Sequence, residues 1–219
     1  MRLALFDLDH TLLDGDSDQL WCDFLIDKGM LDKVIFSAQN EAMTRDYKTG
    51  TVNVQAFSEF YIGTLTLKSP VEWEDLRQEF LSVWVAPRLC AGDKSRIKAH
   101  QAKGDRVVMT TATNRFIAEL TAKHLGLQDL IATEPEIQNG LFTGKTASVL
   151  NMREGKVTRL KMWCKDQSLD WSHLETWGYS DSINDLPLLE AVTHATVTQG
   201  DVKLKAEAVK RGWPQIEWF

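Results

Sequence analysis

Residues 3–6, Leu-Ala-Leu-Phe, form an apolar run without alternation that stops at Asp7, passes Leu8 and meets Asp9 before the chain turns polar. A run apolar at every position suits a parallel strand covered on both faces, and such a strand obliges the rest of the chain to supply helices for each side. Three more runs share that character, at 106–111 (RVVMTT), 174–182 (LETWGYSDS) and 194–200 (HATVTQG). Helical spacing lies around them at 93–103, 114–126, 154–167 and 202–212. This alternation predicts an α/β fold, a doubly wound parallel sheet.

One region breaks the pattern. From about residue 18 to 87 the apolar residues fall at helical period in QLWCDFLIDKG, VIFSAQNEAMTRDY, VQAFSEFYIGTL and EWEDLRQEFLSVW, with no strand among them. The expected organisation is an α/β core domain, 1–15 and 88–219, with an all-helical cap domain, 16–87, inserted after the first strand. Ligands of open α/β sheets bind at the carboxyl ends of the strands, so an insert at that point sits over the site and suits a lid. Trp21, Phe57, Phe60 and Tyr61 suit either the packing of this insert or the lining of a pocket under it. The stretch 134–148, with Asn-Gly between short β-like runs, predicts a hairpin.

A chain of 219 residues has room for one large domain with a smaller insert, and 43% hydrophobic against 26% charged residues is an ordinary globular balance. The net charge of −6, with no cluster of Lys and Arg, gives a nucleic-acid backbone or an anionic membrane nothing to hold, so neither is expected as a partner. The first ten residues carry a charge and two carboxylates where a signal peptide needs an apolar core, so a cytoplasmic location is expected. Cys22, Cys90 and Cys164 are far apart and form no C-x-x-C pair; buried reduced thiols are expected.

Residues two apart on a strand face the same way, so Asp7 and Asp9 converge at its end. Two carboxylates that close, out of water, need a cation or a proton between them. The run GYSDSINDLPLLE (178–190) ends a second strand at Asp181, with Asp185 four residues on. If the two strands are neighbours, Asp7, Asp9, Asp181 and Asp185 share one edge as a hard, oxygen-rich site suited to Mg²⁺. Thr110, Thr111 and Thr113 close another strand, and Lys156 opens a helix in REGKV.

In order and content these motifs (DLDHT, TTATN, REGKV, SDSIND) resemble the haloacid dehalogenase (HAD) superfamily, in its subgroup with a helical cap that includes the phosphoserine phosphatases. The resemblance implies a Rossmann-like core and a Mg²⁺-dependent phosphomonoester hydrolase working through an aspartyl phosphate. On that likeness Asp7 is the nucleophile and Asp9 the proton carrier, while Thr111 and Lys156 contact the phosphoryl group. The metal set is Asp7 and Asp181 with the main-chain carbonyl of Asp9, and Asp185 lies behind it, acting through water or by orienting Lys156. The substrate-binding set is Asp16, Thr111 and Asn114. Thr111 is preferred to Thr110 because Thr-Ala-Thr at 111–113 is similar to the Ser-Ala-Ser of relatives.

Asp16 falls, by ungapped count from Asp7, where phosphoserine phosphatases carry the acid that meets the substrate amine. Their cap arginine, which meets the carboxylate, has no counterpart in 53–63, where Glu59 and Tyr61 stand instead. The expected partner is therefore a small phosphate ester bearing an amine but no carboxylate, such as histidinol phosphate, with phosphoserine as the alternative. Dehalogenation of a 2-haloacid and a non-catalytic phospho-aspartate module are the remaining readings; the first leaves Asp9 and the Asp181/Asp185 pair without a task, and the second leaves the helical insert and Asp9 without one. The protein is expected as a monomer or homodimer.

Overall fold

The computed structural model describes residues 1–49, 53–89 and 91–218. Strands β1 (Arg2–Phe6), β2 (Arg106–Asn114), β3 (Asp129–Thr133), β6 (Glu175–Ser180), β7 (His194–Thr198) and β8 (Gln215–Ile216) form one parallel sheet in the order β3-β2-β1-β6-β7-β8. The chain moves outward one way from β1 to β3 and the other way from β6 to β8, so the sheet reverses direction between β1 and β6. Open α/β sheets bind ligands at such a reversal. Strands β4 (Pro135–Gln138) and β5 (Leu141–Thr146) make the expected hairpin, turned by Asn139 and Gly140 at φ 51° and 79°. Positive φ at both central positions is the turn that Asn-Gly favours.

The apolar start of β1 serves two cores. Leu3 and Leu5 pack with Val108, Ile131, Leu160 and Cys164, while Ala4 and Phe6 join a larger cluster on the opposite face. Period-two alternation then sends Asp7 to the same side as Leu3 and Leu5. That side is covered by α7 (Glu154–Asp166), whose buried residues Lys156, Leu160 and Cys164 recur every four positions and so form one stripe. Lys156 is the first member of a core-facing stripe, held in place by the two apolar residues behind it.

The segment between β1 and β2 is helical: α1 (Ser17–Asp27), α2 (Lys33–Thr49), α3 (Val54–Gly63) and α4 (Glu74–Glu79), the last running on through wider π turns to Val85 and a tighter 3₁₀ turn to Arg88. Its centre is aromatic. Trp21 sits 5.2 Å from Trp73 and 5.1 Å from Phe80 between ring centroids, and the two indoles donate to Thr64 Oγ1 (3.1 Å) and the Leu65 carbonyl (2.8 Å). Its outgoing and returning connections run side by side, with Leu13 bridged to Leu89 and the Asp14 amide donating to the Arg88 carbonyl at 2.9 Å. The β4–β5 hairpin meets it from the other side, where Gln55 Nε2 donates to Thr146 Oγ1 at 2.6 Å.

Two strands were not expected. β3 (Asp129–Thr133) holds only the short apolar run Leu-Ile-Ala, and β8 has two residues; both are defined by pairing with β2 and β7 and by nothing local. β2 extends three residues past its expected end to Asn114, with a register shift against β3 between Thr111 and Asn114. The remaining helices of the core are α5 (Ala91–Ala102), α6 (Arg115–His124), α8 (Leu186–Ala191) and α9 (Val202–Arg211). No helix among the described residues is long and apolar enough to cross a membrane. Cys22 and Cys164 are buried free thiols, and Cys90 lies outside the described residues.

Candidate active site

Asp7 follows Phe6 directly, and its amide continues the ladder by donating to the Tyr179 carbonyl at 3.0 Å. Its carboxylate is buried and accepts from Lys156 Nζ at 2.7 Å. The same ammonium donates to Asp185 Oδ2 at 2.6 Å, and Ser180 Oγ donates to that oxygen at 2.7 Å. One lysine, 3% exposed in its side chain, thus holds two buried carboxylates. Burial works against its charge, and Asp185 and Asp7 overcome that, holding the ammonium above its ordinary pKa. Burial raises the Asp7 carboxyl well above the usual carboxylate range against the pull of Lys156, with Asp185, Asp181 and Asp9 adding to the rise.

The loop before α7 lets Lys156 reach this point. A Cβ at Gly155 would stand 2.1 Å from the Leu150 carbonyl oxygen, so the chain closes into the helix only with glycine there. Asn151, fully buried, holds the same loop to the sheet by donating to Thr110 Oγ1 (3.0 Å) and to the carbonyls of Thr111 and Ile131 (both 2.9 Å).

Asp9 is held by the first turn of the helical insert. Ser17 donates to its Oδ1 from the amide at 2.7 Å and from the hydroxyl at 2.5 Å, while Thr113 Oγ1 (2.7 Å) and Thr111 Oγ1 (3.3 Å) donate to its Oδ2. Of the two adjacent threonines, Thr111 therefore faces Asp9, and Thr110 faces Asn151 on the opposite side.

Asp181 leaves β6 at the neighbouring strand end. Its carboxylate takes the Thr11 hydroxyl at 3.3 Å, and among the described residues no cationic side chain lies within ion-pair distance of it. Burial, then Asp185, pushes its pKa up to about 8. Asp201 shapes this loop: it caps α9 through the Leu204 amide (2.8 Å), accepts from the Ile183 amide (2.7 Å), and gives its own amide to the Asp181 carbonyl (2.7 Å).

These groups open into a cavity of about 730 Å³ lined by Asp7, Asp9, Lys156 and Asp181 at its floor, and by Asp16, Asp18, Phe57 and Tyr61 on the side of the helical insert. Of the four aromatic candidates, Phe57 and Tyr61 line the cavity. Trp21 is fully buried within the insert, and Phe60 stacks on Phe36 at 4.9 Å. Asp16 lines the wall while its carboxylate caps α1 through the Gln19 amide at 2.9 Å; burial and the nearby Asp9 raise its pKa to about 6. Asn114 does not line the cavity. It is 2% exposed, caps α6 through the Ile117 amide (3.2 Å) and donates to Asp18 Oδ1 (3.4 Å), because the lengthened β2 ends directly in α6. A substrate contact expected of Asn114 is thus reached only through Asp18.

Asp18, Ser17 and Arg153 were not singled out from the sequence. Asp18 stands two residues beyond Asp16 in the same polar turn, which was the available signal; burial, followed by Asp16 and Asp9, raises its pKa well above the usual range. Another cavity, about 830 Å³, lies against β6, β7 and β8 and holds none of these strand-end carboxylates.

Residues 4–190 match the haloacid dehalogenase-like hydrolase family. The chain belongs to that family. It is 35% identical over 219 residues to the histidinol-phosphatase of Neisseria meningitidis serogroup C, covering 99% of each chain. A solved structure of a protein of unknown function from Bordetella pertussis superposes with a TM-score of 0.95 at 39% identity, over 100% of this chain and 99% of that one. A substrate-bound phosphoserine phosphatase shares the fold, with a TM-score of 0.66 at 17% identity over 96% and 97% of the two chains. With the strand-end aspartates and Lys156 assembled and phosphatases among its relatives, this member of the HAD family is a phosphatase.

The residues fit a divalent cation. Asp7 and Asp181 offer oxygen only, and of the four carboxylates at the sheet edge only Asp7 and Asp185 pair with Lys156. Among the described residues no three His, Cys, Asp or Glu side chains close on one point.

Proposed function

We propose that this HAD phosphatase hydrolyses a small phosphomonoester bearing an amine, an amino alcohol phosphate such as histidinol phosphate, through an aspartyl phosphate on Asp7. A phosphate ester repels a carboxylate nucleophile, and Mg²⁺ held by the side chains of Asp7 and Asp181 and the carbonyl of Asp9 would supply the intervening charge. Asp7 attacks phosphorus as its bond to the alcohol breaks. Asp9 gives its proton to the departing alkoxide, then takes one from the water that cleaves the acyl phosphate. Ser17 and Thr113 hold Asp9 at that position from two different elements. Thr111 is fully buried and donates to Asp9 in this structure, while its neighbours Ala112 and Thr113 line the cavity; on the family likeness its hydroxyl turns to a phosphoryl oxygen when substrate binds. Lys156 offsets charge on the reacting oxygens, and Asp185 keeps its ammonium aimed at Asp7.

The observation that carries the substrate reading is the acidic wall. Asp16 and Asp18 line the cavity from the insert with no basic side chain paired to either among the described residues, so a bound ammonium is the charge that wall lacks. The histidinol-phosphatase relative spanning the whole chain supports the same choice. Phosphate release from histidinol phosphate, phosphoethanolamine, phosphoserine and a sugar phosphate tests it. The amino alcohol esters are expected to exceed the others in kcat/KM by about tenfold or more, the equivalent of one charge-assisted hydrogen bond. A clear preference for phosphoserine or the sugar ester defeats the reading.

A further inference from the structure

Arg153 precedes α7 with φ 51° and ψ −128°, a backbone region that glycine enters freely and a side chain enters under strain. Nothing in the main chain asks for arginine there. The local bond, from the Lys156 amide to the Arg153 carbonyl at 3.0 Å, would serve glycine equally. The side chain has to account for the residue, and it lines the catalytic cavity. Its Nε donates to Asn184 Oδ1 at 3.1 Å, and among the described residues its two terminal nitrogens meet no acceptor and no carboxylate pairs with it.

The lysine at the floor of that cavity is not free, and the other lysine lining it, Lys203, is an exposed residue of α9. Lys156 is engaged by Asp7 and Asp185 at 2.7 and 2.6 Å, while Asp9 and Asp181 also face an arriving dianion. We propose that Arg153 binds the phosphoryl group of the substrate, its free terminal nitrogens donating to two phosphoryl oxygens while Asn184 fixes the plane of the fork. A guanidinium suits that task because its parallel N–H pairs match two oxygens of one anion. The inference rests on this cavity being the phosphoryl-transfer site.

Arg153→Gly, Arg153→Gln and Arg153→Lys in the full chain test it, through thermal unfolding, steady-state kinetics on histidinol phosphate and phosphoserine, and inhibition by inorganic phosphate. Arg153→Gly is expected to unfold a few degrees higher because the strain is gone, yet to lose about 10–100-fold in kcat/KM and as much in phosphate inhibition. Gln loses the same activity without the thermal gain, and Lys recovers part of it. Unchanged kinetics and phosphate inhibition in Arg153→Gly overturn the proposal, as does a fall in its unfolding temperature. A loss confined to phosphoserine, with phosphate inhibition intact, overturns it in favour of a carboxylate contact. Asp7→Asn separates the two levels: if it still turns over these esters, the cavity is not the reaction site, whatever Arg153 does.

Discussion

Replacing Lys156 by Met removes one cation from between two buried carboxylates while keeping an unbranched side chain in the stripe with Leu160 and Cys164. Removing one partner of a buried ion pair costs about 3–5 kcal/mol, since it leaves a charge unpaired. A cost of that size, divided by a urea slope of about 2–3 kcal/mol/M for a chain of this length, moves the unfolding midpoint down by about 1–2.5 M at about pH 8. The sign with pH follows from Asp7. Its carboxyl already titrates well above the ordinary value, so the folded state holds more protons than the unfolded chain, and stability falls as pH rises through that window. Without Lys156 the imbalance grows, and protonation at about pH 5 removes most of it, leaving a loss of about 1 kcal/mol for the missing hydrogen bonds. Urea unfolding in a chelating buffer at the two pH values measures this directly. A midpoint shift of the same size at both, or none at the higher pH, refutes the account of Lys156 as the counterion of this pair.

Asp16→Asn is expected to raise KM for an amine-bearing ester by about 10–100-fold with a smaller change in kcat, since the contact it removes is a charge-assisted one. Because the Asp16 carboxyl titrates at about 6 and must be ionised to hold an ammonium, kcat/KM of the parent enzyme should rise through that pH, and the variant should lose that limb of its pH profile. Adding Mg²⁺ should raise the thermal unfolding temperature, and by more at about pH 8 than at about pH 6. Asp181 is pushed up to about 8, so below that value protons compete with the cation for it. An equal rise at both values counts against Asp181 as a ligand.

Much of the core was legible because its signals are local. The unbroken apolar stretch of β1 and the four-residue stripe of α7 state their partners on two faces, and the strand-end aspartates mark the one edge where the sheet reverses. What was not legible depends on parts of the chain far apart in sequence. β3 is made a strand by its register with β2, Val108 opposite Asp129, and not by its five residues. The grip of Ser17 and Thr113 on Asp9 joins β1, the start of the insert and the end of β2, three segments separated by up to 104 positions. Asn114 reads as a strand-end polar group suited to substrate, but the strand runs three residues further than its apolar content suggests and hands Asn114 to α6 as a cap. The Arg153 backbone is hidden for the opposite reason, since a residue type that avoids positive φ gives no warning of one.

The central claim is that Asp7 carries the phosphoryl group during turnover. The measurement is acid quenching of the enzyme while it hydrolyses histidinol phosphate with Mg²⁺, followed by fragment mass analysis of the segment from Leu3 to Lys28. The mass of one phosphoryl group is expected on Asp7 in the parent chain, and neither adduct nor turnover in Asp7→Asn. A phosphoryl group on any other residue, or turnover that survives Asp7→Asn, contradicts it.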